Sequence, residues 1–263
     1  MGKPIKGSIE RALTAAQLPQ NPAPSITPPT TQNPPTPTTA VNDPHNYIVL
    51  PARAHGTYQY ADTLVAMELS HKGKNWNDSH KLLADEGAYM LSIRQFVDFL
   101  NLLQSGSAFD GSGDPVQKPQ LDEILDEIWT IRNPWRSEWL DAQFESRGGV
   151  IGIGSKIHIH YEHRFVNGQL TSQRPAEQLK DYLASNKTPG IILQDWLTTT
   201  NEHGLPKANS TTVQNGLYYW APTNGYVAGF GADSDWAGLY CVWYPADSGS
   251  GLWVRAAREN KTL

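Results

Sequence analysis

Three imidazoles and a carboxylate fall within six residues in the string His158-Ile-His160-Tyr-Glu162-His163. Such a set can hold a zinc ion, and zinc lowers the pKa of a bound water enough to make it a hydrolytic nucleophile. The same string has a plainer reading. Along a β-strand side chains alternate, which places His158, His160 and Glu162 on one exposed face and His163 on the other. Glu138 and Asp141, beside Trp135 and Trp139, are aromatic-flanked acids of the kind that serve as acid and base on sugars. Asp122-Glu123 and Asp126-Glu127 line one helix face and read as solvated charge. Serine-nucleophile GxSxG, phosphate-loop and dinucleotide fingerprints are absent from the sequence.

A second signal is compositional. Ten of the 26 aromatic residues lie between positions 215 and 253, interleaved with Gly, Ser, Asn and Asp. From Lys207 to Arg255 there is no basic residue, and the charges in between are Asp233, Asp235 and Asp247. Tyr and Trp provide large contact area at low entropy cost and small polar residues adapt around them, so this is the composition of a recognition surface. A Gly-rich β core with its tryptophans buried has the same composition.

The whole chain narrows the choice further. Its 263 residues carry a net charge of −5 with no Lys/Arg-rich block, which disfavours sequence-independent nucleic-acid binding. Mean hydropathy is −0.49 and no apolar run approaches the ~18 residues of a membrane span, so no membrane insertion is expected. Cys241 is the single cysteine, which excludes an intrachain disulfide framework and multi-cysteine metal sites. In its apolar setting (LYCVW) it reads as a small core residue. No secretory signal is readable at the start, and localisation is left open, with display on a virion or cell surface as one setting.

Ten of the 19 prolines fall in residues 1–44, so residues 1–45 read as a Pro/Thr-rich tail or linker, with a short helix at 9–18. Residues 46–263 read as one domain. Strand-like runs open it. Helices follow around 76–87, where Asp78 or Asn77 caps, from the Ser92–Gln95 capping box onward, and from Leu121 to Ile131. Residues 135–144 and 176–183 read as further short helices, and Asn167-Gly168 as a hairpin turn. Short strands are expected at 190–193, 216–220, 225–229, 238–243 and 252–257. Helices first and strands last is an α+β pattern.

Two resemblances bear on these residues. The spacing HxHx(D/E)H resembles the metal motif of metallo-β-lactamase-like hydrolases, but the further downstream ligands are missing and His203 is the one later histidine. Residues 76–103 (WNDSHKLLADEGAYMLSIRQFVDFLNLL) look like the two-helix opening of the C-type lectin fold, and GYVAGFGADSDWAGLYCVWYPADSGSGLWVRAARE looks like its closing strands. With the string at 135–144, the chain resembles the variable proteins of diversity-generating retroelements, over roughly residues 46–260. The lone cysteine and the early position of Trp76-Asn77-Asp78 depart from calcium-binding lectins, so calcium-dependent sugar binding is not implied.

The resemblance implies a C-type lectin-like α+β fold, with two N-terminal helices, short C-terminal antiparallel strands and long loops. It implies a non-enzymatic display protein, with no cofactor, whose variable region at about 215–255 recognises a protein or cell-surface ligand. In that family mutagenesis at template adenines diversifies the contact positions. Asparagine codons changed at adenines can become Tyr, Asp, Ser or Phe but not Trp. Tyr218, Tyr219, Asn224, Tyr226, Phe230, Asp233, Asp235, Tyr240, Tyr244 and Asp247 are then the expected ligand contacts, and Trp220, Trp236, Trp243 and Trp253 the scaffold. The alternatives are a metal-dependent hydrolase built on His158, His160 and His163, and a phage tail adhesin tethered by the Pro/Thr-rich segment.

Overall fold

The computed structural model describes residues 43–148 and 156–260. The helix expected at 9–18 and the Pro/Thr-rich stretch up to 42 lie outside the described residues.

Strands β1 (Tyr47–Leu50) and β4 (Thr63–Ser70) pair antiparallel, and the hairpin β2 (Arg53–His55) and β3 (Tyr58–Tyr60) lies between them in sequence. Next come α1 (Trp76–Asp85), β5 (Tyr89–Met90) and α2 (Ile93–Ser105). The small hairpin β6 (Ala108–Phe109) and β7 (Pro115–Val116) leads to α3 (Lys118–Trp129) and the long strand β8 (Arg136–Arg147). Then follow β9 (Lys156–His160), β10 (His163–Val166), β11 (Gln169–Ser172), β12 (Glu177–Gln178), β13 (Lys187–Ile191) and α4 (Leu193–Thr199). The chain closes with β14 (Leu217–Trp220), β15 (Val227–Ala232), β16 (Ala237–Trp243) and β17 (Leu252–Glu259).

Eleven of these strands form one mixed sheet, with the path β1-β4-β17-β8-β15-β16-β14-β13 and with β5, β9 and β12 attached beside it. β17 runs parallel to β8 and β14 runs parallel to β16, while the other ladders are antiparallel. The last strand is thus interior to the sheet, between strands that begin 189 and 116 positions before it.

Helix α2 forms where expected. Ser92 accepts from the Gln95 N–H, the Gln95 side chain accepts from the Ser92 N–H, and Gly106 closes the C-terminus in the left-handed region. Its Ile93, Phe96, Phe99, Leu100 and Leu103 pack into the main core with Leu140, Ala228, Phe230 and Leu239. A second cluster, with Trp76, Leu83, Met90, Trp139, Val227 and Leu252, lies on the opposite side of the sheet. Adjacent residues of one strand serve the two sides: Leu140 and Ala228 one, Trp139 and Val227 the other. For α1 the cap is Asn75, two or three residues before the expected Asn77 or Asp78. Asn167 and Gly168 both have positive φ, as the expected β10–β11 turn requires.

The expected helix-first α+β, C-type lectin-like fold is corrected by this architecture. The described chain is mostly β, with one large mixed sheet and four α-helices among the described residues. The decisive segment is 135–144, expected as helix, which forms most of β8 at the centre of the sheet. A central strand is buried on both faces and so lacks the period-two signature that would distinguish it. Its charges mislead as well, because Glu138 and Asp141 are buried against partners from far along the chain. The expected helix at 176–183 is also absent; Glu177–Gln178 instead adds a two-residue strand to β9. The strand-like runs expected to open the domain do form, as β1 to β4 ahead of the first α-helix.

Candidate functional site

The aromatic segment folds into the β14–β16–β15 part of the sheet, and its register sorts the side chains. Tyr218 lies opposite Gly238, and Trp220 opposite Tyr240. On the other side of β16, Gly238 faces Gly231 and Tyr240 faces Gly229. One face of the sheet therefore carries Tyr218, Trp220 and Tyr240 beside three glycines, and the rings lie over the bare backbone. The Trp243 ring, for instance, comes within 3.3 Å of the place a Gly229 Cβ would occupy.

The rings stack on one another. Tyr218 and Trp236 are parallel with centroids 4.5 Å apart, and Trp220 and Tyr240 are nearly parallel at 4.2 Å. The Trp236 indole N–H donates to the Tyr240 hydroxyl. Farther along, Trp135 stacks on Trp243 at 6.0 Å, and Tyr226 donates to Tyr244 with O–O 2.7 Å. That bond raises the Tyr226 phenol above its ordinary pKa. Rings already braced by neighbours lose little freedom on binding, which favours them as contact residues.

Acidic turns border this face. Asp233 accepts from the N–H groups of Asp235 and Trp236 and shapes the β15–β16 turn. Asp247 accepts from the Tyr244 N–H, and burial raises its carboxyl despite that bond. Asn224 accepts from the Ser146 N–H at the end of β8.

Of the ten expected contacts, Asn224, Asp235 and Tyr244 are exposed, and Tyr218, Tyr226, Asp233 and Asp247 are half-buried. Tyr219 and Phe230 face the core: Tyr219 donates to the Leu183 carbonyl, and Phe230 stacks on Trp196. Tyr240 is buried under Trp220. Among the expected scaffold tryptophans Trp220 is buried, whereas Trp236, Trp243 and Trp253 are half-exposed, with the Lys72 ammonium 5.1 Å from the Trp253 ring. Trp135, which sequence reasoning did not assign to this surface, joins it through the Trp243 stack, a contact made across about a hundred residues of chain.

The histidine string is pulled apart. His158 Nδ1 lies 3.1 Å from the Lys156 carbonyl, and His160 Nε2 lies 2.8 Å from Glu145 Oε2. Glu162 has positive φ and pairs with Arg174, and its turn carries His163 inward to Asp141. Among the described residues, no group of three or more clustered metal-type ligands contains His158 or His160.

His163 instead joins His80 and Asp141, all buried. His163 Nδ1 lies 2.5 Å from Asp141 Oδ1 and its backbone N–H donates to Oδ2, so one residue occupies both oxygens. Burial lowers the His80 pKa to about 4, against the pull of Asp141. Burial alone would raise the Asp141 carboxyl, but His163 and His80 hold it below its usual value. This is a packed polar cluster in which Trp76 lies edge-on to both imidazoles. Asp141 also borders a polar cleft of about 300 Å³ lined by Tyr60, Tyr89, Gln95, Glu162, Arg164 and Arg174. No sequence signal marks that cleft, because its residues are scattered from position 59 to 260.

The acids Glu138 and Asp141 are buried and paired with Arg255 and His163, without the solvent access that acid–base work on a sugar needs. On α3, Asp122 pairs with Lys118 and Glu127 with Arg136. Among the described residues no helix is long and apolar enough to cross a membrane. Comparison of the chain with protein-family models, with curated proteins and with solved structures found no match.

Proposed function

We propose that this protein is a binding protein whose recognition surface is the aromatic face of β14, β16 and their flanking turns, and that its ligand is another protein or a cell-surface component. The observation that carries the reading is the row of stacked, partly exposed rings running from Tyr218 and Trp236 to Trp135, Trp243 and Tyr244 on strands of a large sheet. Contact energy would concentrate in those rings, with Asn224, Asp233, Asp235 and Asp247 as the adaptable polar rim.

Diversification of this surface by a retroelement is the second part of the proposal. It rests on the resemblance of the C-terminal segment, and it is supported by seven of the ten expected contacts being exposed or partly exposed. The encoding DNA tests it. A near-copy of the segment for residues 215–255 is expected nearby, with mismatches at template adenines in the codons for Tyr218, Asn224, Tyr226, Asp233, Asp235, Tyr244 and Asp247, sparing Tyr219 and Phe230. Absence of a near-copy removes the diversification claim. Binding is tested separately on arrays of cell-surface proteins and glycans. Trp236→Ala and Tyr244→Ala should each abolish a saturable signal while preserving the fold, and an unchanged signal would sink the surface assignment.

A further inference from the structure

His203 is buried, and neither of its ring nitrogens has a hydrogen-bond partner. It sits in a rigid turn, where the Asn201 side chain accepts from the N–H groups of His203 and Leu205. Tyr58 lies edge-on to the ring and Tyr161 lies tilted against it. Its Nε2 points between two carboxylates, 3.7 Å from Glu177 Oε2 and 3.9 Å from Glu202 Oε1. A buried polar atom without a partner is costly, so a ring held like this calls for an occupant.

The two carboxylates pose the same question. Thr57 Oγ1 lies 3.1 Å from Glu177 Oε2 and 3.1 Å from Glu202 Oε2, yet a hydroxyl has one proton to donate. The outward oxygens are already served. Tyr161 donates to Glu177 Oε1, and the Thr57 N–H donates to Glu202 Oε2. That leaves Glu177 Oε2 and Glu202 Oε1 facing His203. Gly56 makes the approach possible, because a Cβ there would lie 2.4 Å from Glu202 Oε2.

We propose that His203 Nε2, Glu177 Oε2 and Glu202 Oε1 bind a divalent transition cation of the zinc class, with water in the remaining position. A tetrahedral ion with bonds of ~2.0–2.1 Å holds neighbouring ligand atoms about 3.3–3.4 Å apart. One ligand atom from each of the three residues lies within 4.8 Å of the others, and Nε2 is 3.7 and 3.9 Å from the two carboxylate oxygens, so closure needs separations to shrink by a few tenths of an ångström to about one and a half. Glu177 and Glu202 are 27% and 30% exposed, which leaves a route for the ion and room for the water. Tyr161 holds Glu177 through its other oxygen, and the Thr57 N–H and hydroxyl hold Glu202 through its other oxygen, as outer partners do in metal sites. Imidazole with carboxylates suits zinc and its neighbours better than calcium. Burial lowers the His203 pKa against the pull of Glu177 and Glu202, which keeps the ring neutral and able to ligate. The ion would tie the β2–β3 turn to β12 and the 201–205 turn.

The test uses the full chain, free of any affinity tag and dialysed against EDTA, titrated calorimetrically with zinc, manganese or calcium chloride and by absorbance with cobalt. One zinc per chain is expected, with visible cobalt bands of a four-coordinate site and at least 100-fold weaker calcium binding. Glu202→Gln and His203→Ala should each weaken zinc at least 100-fold, Thr57→Val about 10–100-fold, and His158→Ala not at all. Glu202→Gln preserves shape, so it decides the matter if His203→Ala fails to fold. No saturable zinc binding, or equal binding by wild type and Glu202→Gln, would overturn the site. Neither result bears on the aromatic surface.

Discussion

Arg255 and Glu138 form a buried bidentate pair, with Nη2 2.9 Å from Oε1 and Nε 3.1 Å from Oε2. Arg255 Nη1 also donates to the carbonyls of Ala66 and Met67. One guanidinium thus ties the last strand to β8 and β4, its two neighbours in the sheet. Removing Arg255 leaves Glu138 buried without a counter-charge. Arg255→Ala should cost about 3–5 kcal/mol in urea denaturation, and Arg255→Met with Glu138→Leu substantially less. A loss under about 1 kcal/mol for Arg255→Ala would show that the pair does not hold the sheet.

Acid should act through His80. Its pKa is about 4 in the fold and 6.5 as a free group, so between those values the unfolded chain takes up a proton that the folded chain refuses. Stability from this group is complete above pH 6.5 and is lost as pH falls toward 4. The amount is on the order of 3 kcal/mol. Asp141, lowered below 3.8, adds its loss at still lower pH. Denaturation midpoints from pH 7 to 4 should fall more steeply in wild type than in His80→Phe, and parallel curves would refute the assignment.

Neighbours in sequence should behave oppositely. Tyr219→Ala empties a core position and frees the Leu183 carbonyl, for a loss of about 3–5 kcal/mol. Tyr218→Ala removes a surface stack worth about 1 kcal/mol. If the two losses were equal, or reversed, the face carrying Tyr218 would be core instead of surface.

Gly238 should not tolerate a methyl group. A Cβ there would lie 2.9 Å from the Trp220 ring and 2.9 Å from the Tyr218 carbonyl. Gly238→Ala should destabilise by about 1–3 kcal/mol and change the near-ultraviolet circular dichroism of the stacked rings. A native spectrum and stability would mean that the aromatic face is loosely packed.

Cys241 should be inert. It is fully buried, and burial pushes its thiol well above the ordinary value. A thiol-reactive chromophore should label it only in denaturant, and labelling within minutes under native conditions would place it at an accessible surface.

What was legible in the sequence was local. The Ser92–Gln95 box, Gly106 beyond α2 and the Asn167-Gly168 turn each work through atoms within a few residues, so residue type sufficed to find them. The C-terminal strands were legible within two residues or so at most ends, since short Gly-bounded runs of aromatic and β-branched residues have few other conformations. Strand β8 was not, and neither were the partners that make Glu138 and Asp141 buried groups.

By itself the sequence determined the elements whose signals close within a turn or two, the crowding of aromatics near the C-terminus and the lone thiol. The tertiary structure alone decided which of Tyr218 and Tyr219 faces out, that Trp135 stacks on Trp243, and that His203 meets Glu177 and Glu202 beside Thr57. The physical reason is that strand pairing is long-range. A residue's face follows from period two only after register is set, and register here is set by strands such as β4 and β17, which begin 189 residues apart.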